Sequence, residues 1–302
     1  MLAVRHAAAI ASLGDEAASL FRACWAETES VGPPPRYARS VVPVPYDEFA
    51  ARILAADAQA IRRFVTSLYA GDVYVLKGAF SRAECRGMVE RVYEFGRSRP
   101  PSFHKMLDGC PDFHRIIDSQ VTNAYSVTSV RHGYYFFHWN GDHLKLFAQV
   151  TERWRIFKIC CGLDPTQYET NLPSDGVIER LMMYSYPKGG GRLKTHVDPI
   201  NNQKVVMGGM LSTRGVDFRT GGIYCLAGDS RTIDLESSME AGDFMLTYPT
   251  VLHGVDPIDQ GQEINWDTID ARWFLGLSIV DSDHVQERVT AQRVDDDGRA
   301  EV

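Results

Sequence analysis

The chain lacks most of the features that would place it outside the ordinary globular class. Its six cysteines, Cys24, Cys85, Cys110, Cys160, Cys161 and Cys225, include no Cys-x-x-Cys pair and no regular framework. Adjacent Cys160 and Cys161 cannot readily bond to each other, so reduced, mostly buried thiols and a cytoplasmic location are expected. No stretch approaches the roughly 20 apolar residues needed to cross a bilayer, so no membrane partner is expected. The apolar start, Met1 to Ile10, is short and soon meets Asp15 and Glu16, which favours a helix over a signal peptide. There is no strongly basic run, and the net charge is −7. A nucleic-acid binder usually carries a basic face, so none is expected as partner. Internal repeats are absent too. What remains is 302 residues, 44% hydrophobic and 24% charged, the balance of a soluble protein with a modestly acidic surface and enough chain for one large or two small domains.

Periodicity divides the chain in two. Residues 1–30 are Ala-rich and read as helix, followed by a Pro-rich extended connector from Gly32 to Pro45. Phe49, Ile53, Ile61, Phe64, Val65 and Leu68 recur at roughly helical spacing and predict helix over 46–69. Asp72–Lys77 is a short β-rich run, and Ser81-Arg-Ala-Glu84 spells a capping box that opens a further helix. Residues 97–145 show no clean period, and Leu144–Cys161 reads as helix again. From Glu179 onward the texture becomes short β-type runs punctuated by Gly, Pro and Asp, as in a sandwich or small barrel. Helices first and strands later predict an α+β fold with a jelly-roll core. The expected organisation is a helical region with its connector over 1–70, a mixed substrate-side region over 71–174, a core over 175–282, and a flexible tail over 283–302.

The most informative residues are His196-Val-Asp198, followed at a distance by His253 and then Arg272. Alternate residues of a strand share a face, so a His-x-Asp pair presents both side chains together. A second histidine closes one triangular face of an octahedral metal. Two imidazoles and one carboxylate, with three positions open, suit ferrous iron that must also bind a cosubstrate and oxygen.

The stretch Tyr186-Pro-Lys-Gly-Gly-Gly-Arg-Leu-Lys-Thr-His196-Val-Asp198 resembles the core signature of the Fe(II)/2-oxoglutarate-dependent oxygenases, in particular their prolyl-hydroxylase-like branch. Gly221-Gly222, Ala241-Gly242-Asp243-Phe244, His253-Gly-Val and Arg272 follow in the family's order, and the likeness covers about residues 180–280. It implies a double-stranded β-helix (jelly-roll, cupin-like) core flanked by N-terminal helices. It implies His196, Asp198 and His253 as Fe(II) ligands, with Arg272 and Tyr186 holding 2-oxoglutarate and dioxygen as the second cosubstrate. Related halogenases replace the carboxylate with a small residue; Asp198 is intact, which favours hydroxylation of an unactivated C–H bond. Two departures stand out: residues 259–270 lengthen the gap before Arg272, expected as a loop at the site mouth, and Arg272-Trp-Phe274 lacks the usual Arg-x-Ser. Thr247 and Tyr248 are the candidates for the missing second carboxylate partner.

On the substrate side, Arg131 to Asn140 mixes aromatics with polar tips, as a small-molecule pocket does. His138, Trp139, Arg192 and Lys194 are the candidate substrate contacts. A small molecule such as an amino acid or specialised metabolite is the expected partner. A protein side chain, by analogy with prolyl hydroxylases, is the alternative, and a cupin-like metal protein without oxygen chemistry is a second.

Overall fold

The computed structural model of the chain describes residues 2–229 and 231–294. The Ala-rich start is helix α1 (Leu2–Glu29), whose stripe Ala17, Ala18, Phe21, Cys24 and Trp25 is buried. Phe21 meets Phe64 edge-on at 5.9 Å, and Trp25 donates its indole N–H to the Cys160 carbonyl at 2.8 Å. The helix expected over 46–69 is two, α2 (Tyr46–Leu54) and α3 (Ala58–Tyr69). Between them Ala56 takes φ 49° and the Asp57 carboxylate accepts the N–H groups of Gln59 and Ala60. An Asp that caps a new helix competes with the old one, and the apolar rhythm runs on across the break, so periodicity alone conceals it. The Ser81/Glu84 capping box opens α4 (Arg82–Arg97), and α5 spans Phe147–Cys160. No helix among the described residues is long and apolar enough to cross a membrane, and all six cysteines are free and buried.

The strands form one curled sheet. They are β1 (Val41–Pro45), β2 (Val73–Lys77), β3 (Phe113–Ile117), β4 (Ser129–Phe136), β5 (Val177–Pro187), β6 (Gly191–Val197) and β7 (Val206–Met210). After them come β8 (Gly222–Leu226), β9 (Thr232–Asp234), β10 (Phe244–Thr247), β11 (His253–Ile258), β12 (Ala271–Asp281) and β13 (Gln292–Arg293). Their order is β1-β2-β10-β7-β12-β5-β4-β6-β11-β8-β9, with β3 on β4 and β13 on β6. The sheet doubles back at β4, which pairs with β5 through His132–Phe136 and with β6 through Ser129 and Val130. The result is the expected α+β jelly roll. Pro43 and Pro45 fit because β1 is an edge strand, where a missing N–H breaks no ladder.

Alternation along the strands makes two cores. Leu181, Met183, Trp273, Leu275 and Leu277 face the helices, whereas Tyr135, Met182, Tyr184 and Tyr186 face the inside of the roll. The stretch around 131–139, without a clear period in the sequence, is therefore largely a sheet strand, β4. Residues 283–294, grouped with the polar tail in the sequence, are packed: β13 pairs with Val197 and His196 of β6, and the Met106 N–H donates to Asp283 at 2.6 Å.

On the helix side of β4, a buried polar chain has only one consistent set of protons. His114 Nε2 must donate to the Arg99 carbonyl (3.1 Å), which leaves its Nδ1 to accept from His132 Nε2 (2.7 Å). His132 Nδ1 then accepts the Tyr134 hydroxyl at 3.0 Å. Both imidazoles are neutral, and burial, helped by neighbouring His114, pushes His132 down to about 3. A folded pKa below the unfolded value near 6.5 adds stability above that value, and the contribution is lost as pH falls towards 3. Stability should therefore drop by up to ~1.4 kcal/mol per pH unit below about 6 from this group alone. Urea unfolding of wild type and His132→Phe at pH 7 and pH 5 checks this; an unchanged pH slope in the variant refutes it.

Candidate active site

The site is built where β6 meets β11. The turn from β5 into β6 is tight: a Cβ on Gly191 would lie 2.5 Å from the Pro187 nitrogen. Along β6 the pairing with β11 runs His196↔His253 and then Leu193↔Val255, so β6 carries one extra residue, a bulge. Two residues opposite one reverse the alternation. Leu193 and His196 therefore both line the interior, and Asp198 follows just past the strand end, its N–H donating to the Pro249 carbonyl at 2.9 Å.

His196, Asp198 and His253 each offer one ligand atom, and these atoms lie within 4.8 Å of one another. Asp198 stands 3.9 Å from His196 Nε2 and 3.4 Å from His253 Nε2. Each imidazole is fixed from behind. His196 Nδ1 donates to the Lys194 carbonyl (3.0 Å) and His253 Nδ1 to the Val251 carbonyl (2.9 Å). A carbonyl only accepts, so the proton sits on Nδ1 and the Nε2 lone pair points inward, the outer-shell support of a metal-ligating histidine. Burial and then the neighbouring His253 push His196 down to about 4. Burial alone would lower His253 and raise Asp198, but their mutual hydrogen bond and charges reverse both shifts. A divalent cation here would compete with protons for the same nitrogens and carboxylate. The donor set, two neutral imidazoles and a carboxylate on one face, fits iron(II) with open positions.

The three residues open onto a cavity of about 470 Å³ inside the roll. β5 lines it from Tyr186 to Arg180 with Tyr184 and Met182 between, and β4 adds Arg131 and Tyr135. Tyr186 lies opposite Arg272 of β12, and Arg131 lies one step beyond the pair His132↔Ser185 on the other side. The two arginines differ in partnership. Arg272 is fully buried and bound by Glu236, Nε at 2.9 Å and Nη2 at 2.8 Å, leaving Nη1 without a partner. Glu236 also accepts the Ile223 N–H at 2.8 Å. It reaches this place because residue 222 is glycine; a Cβ there would meet Glu236 Cγ at 2.6 Å. Arg131 lies over the Tyr184 ring at 4.1 Å, its buried Nε has no hydrogen-bond partner, and it forms no ion pair among the described residues.

The sequence-derived residues are thus sorted. His196, Asp198 and His253 meet, with Tyr186 in the cavity wall and Arg272 beside it but outside the wall. Arg192, Lys194, His138 and Trp139 do not line the cavity. The β6 bulge accounts for the first two, since it leaves Lys194 exposed and Arg192 hydrogen-bonded back to the Gly190 carbonyl. His138 binds buried Glu179 at 2.7 Å, in a network with Lys158 and Glu169, and Trp139 donates to the Cys110 carbonyl. The 259–270 loop is not at the mouth. It holds the β5–β6 turn, where Gly189 donates to the Ile258 and Asp259 carbonyls, and its Asp267 meets Tyr93 and Arg97 of α4. The Tyr248 hydroxyl is committed to Glu29 at 2.9 Å. Arg115, Arg180, Glu236 and the segment 288–291 were not singled out in the sequence, and Arg131 stood there only within the run from Arg131 to Asn140 expected to line a pocket. Only Arg131 had a signal, as the first inward residue of the run that alternates through Gly133 and Tyr135.

Fold and site together define a jelly-roll protein with a two-histidine, one-carboxylate cluster. No family model and no curated protein matches the sequence. Among solved structures, a full-length Neurospora crassa protein in complex with alpha-KG and thymine is similar at 11% identity, covering 90% of this chain and 94% of that one, TM-score 0.46. A Pseudomonas putida prolyl-4-hydroxylase is similar at 14% identity, over 70% and 91% of the two chains, TM-score 0.38. A putative 2OG-Fe(II) oxygenase family protein from Caulobacter crescentus is similar at 12% identity, over 78% and 85%, TM-score 0.44.

Proposed function

We propose that this chain is an Fe(II)- and 2-oxoglutarate-dependent oxygenase that hydroxylates a small molecule. The observation that carries the reading is the cluster itself: three ligand atoms within 4.8 Å, both imidazoles locked in the ligating tautomer, on the wall of a closed-in cavity. His196, Asp198 and His253 would hold the iron. With 2-oxoglutarate and dioxygen bound, it would supply the oxidation of an unactivated C–H bond, 2-oxoglutarate leaving as succinate and CO2. The protein's part is to position and shield. An interior of about 470 Å³, walled partly by 288–291, favours a small molecule over a protein side chain. A cupin-like binder would have no need of a spare arginine beside Tyr186.

The distal carboxylate of 2-oxoglutarate is assigned to the Tyr186 row, between Arg272 and Arg131. Glu236 already neutralises Arg272, so Arg131 brings the unspent charge. A charge-assisted hydrogen bond is worth about 1.5–3 kcal/mol, so Arg131→Met should raise the Kd for 2-oxoglutarate by about ten- to a hundred-fold. The test is anaerobic: Fe(II) and then 2-oxoglutarate are added, and the weak visible charge-transfer band of the chelate is titrated. No band in wild type sinks the oxygenase reading; an unchanged Kd in Arg131→Met sinks the assignment of Arg131 alone.

A further inference from the structure

We propose that the substrate carries an anionic group, a carboxylate or a phosphate, held by Arg115 and Arg180 around the ring of Tyr135; this rests on the oxygenase reading above. Arg115 on β3 and Arg180 on β5 both line the cavity. Their guanidinium carbons lie 5.1 and 5.8 Å from the centre of the Tyr135 ring, and Arg115 Nε donates to the Tyr135 hydroxyl at 3.3 Å. Neither has a carboxylate partner among the described residues, and the buried Nε of Arg180 has no hydrogen-bond partner. Among the described residues, the one hydrogen bond of the Arg180 side chain is Nη1 to the Met106 sulfur at 3.8 Å.

The cavity's acidic groups are already engaged. Asp283 pairs with Arg288 at 2.7 Å, Asp281 accepts from Asn201 and Asn202, and Asp198 belongs to the metal cluster. In a chain of net charge −7, two neighbouring guanidinium groups on the cavity wall that no carboxylate pairs among the described residues make a receptor for an anion. Guanidinium forks suit carboxylate and phosphate oxygens in particular. This pair is distinct from the place assigned to the cosubstrate. Arg180 stands six residues (186 − 180) from Tyr186 along β5, about 20 Å at the rise of an extended strand. That is far longer than a five-carbon dicarboxylate. Phe103 and Tyr125 also lie near Arg115, at 5.1 and 4.6 Å, so the anion would sit at the end of an apolar or aromatic body.

The test uses the full chain loaded anaerobically with Fe(II) and 2-oxoglutarate, titrated calorimetrically with phenylacetate, phenyl phosphate and the neutral phenylacetamide. Wild type should bind at least one anion about ten-fold or more tighter than the amide, and the preferred anion separates carboxylate from phosphate. Arg115→Gln and Arg180→Gln should each remove most of that preference, with the Fe(II)–2-oxoglutarate band in the same samples still present. Arg180→Lys, which keeps the charge and loses the fork, should fall between. Equal affinities in wild type, no binding of either anion, or a preference that survives in both glutamine variants overturns the proposal. The wild-type comparison stands even if a variant fails to fold. A missing band with the preference intact removes the oxygenase reading and leaves the anion site standing.

Discussion

Asp198→Ala should reduce Fe(II) affinity by more than about a hundred-fold, because outer-shell changes alone commonly reach ten- to a hundred-fold and this one removes a ligand. Asp198 is the cluster's only carboxylate, so its loss leaves the metal's charge without an anionic donor and the face without its third corner. The two histidines, 4.3 Å apart between ring centres, would stay fixed through their Nδ1 bonds. The variant should therefore fold like wild type and fail only in metal binding and succinate formation. Anaerobic Fe(II) titration with melting curves separates the two. Wild-type affinity in a folded Asp198→Ala chain would rule out the ligand set.

The second large effect lies deeper in the roll. Glu236→Leu should destabilise the fold by about 3–5 kcal/mol, the usual penalty for stranding one partner of a buried ion pair. Arg272 is 0% exposed and Glu236 about as buried, so no water compensates the guanidinium once the carboxylate is gone. Replacing both, as Glu236→Leu with Arg272→Met, should recover most of the loss, since buried pairs are often exchangeable for apolar residues of similar volume. Urea midpoints of the two single variants and the double variant measure the coupling. Additive losses would mean that Glu236 acts through the Ile223 N–H rather than through Arg272.

Much of this was legible in the sequence because it is written in local patterns. The capping box at Ser81, the Ala-rich run of α1 and the β-type runs after Glu179 each record a short-range constraint, and each appears where expected. The His-x-Asp pair was legible for the same reason, two residues on one face. What escaped depends on partners remote in sequence or on departures from regularity. The bulge between Leu193 and His196 turns Arg192 and Lys194 outward, and nothing in Gly-Arg-Leu-Lys-Thr-His announces it. Glu236 looks like any surface glutamate until Gly222 gives it room to reach Arg272. His138 looked like a pocket residue because a histidine among aromatics does; only the fold shows buried Glu179 beside it. Arg115 and Arg180 are ordinary arginines until two strands bring them to one tyrosine.

The sheet pairing also governs the order in which the protein can come into being. β2 has β1 beside it early, but its other neighbour is β10, with Val75 opposite Met245. During synthesis that apolar strand must wait for a further 170 residues (245 − 75) to emerge, and so must the wall of the roll that β10 continues. Pairings so distant along the chain make folding slow and leave strand edges exposed to neighbouring molecules. His196 gains its partner His253 late as well, and Arg293 comes to lie beside it later still. A nascent chain therefore has no complete place for a metal until His253 has been made, 55 residues (253 − 198) after Asp198.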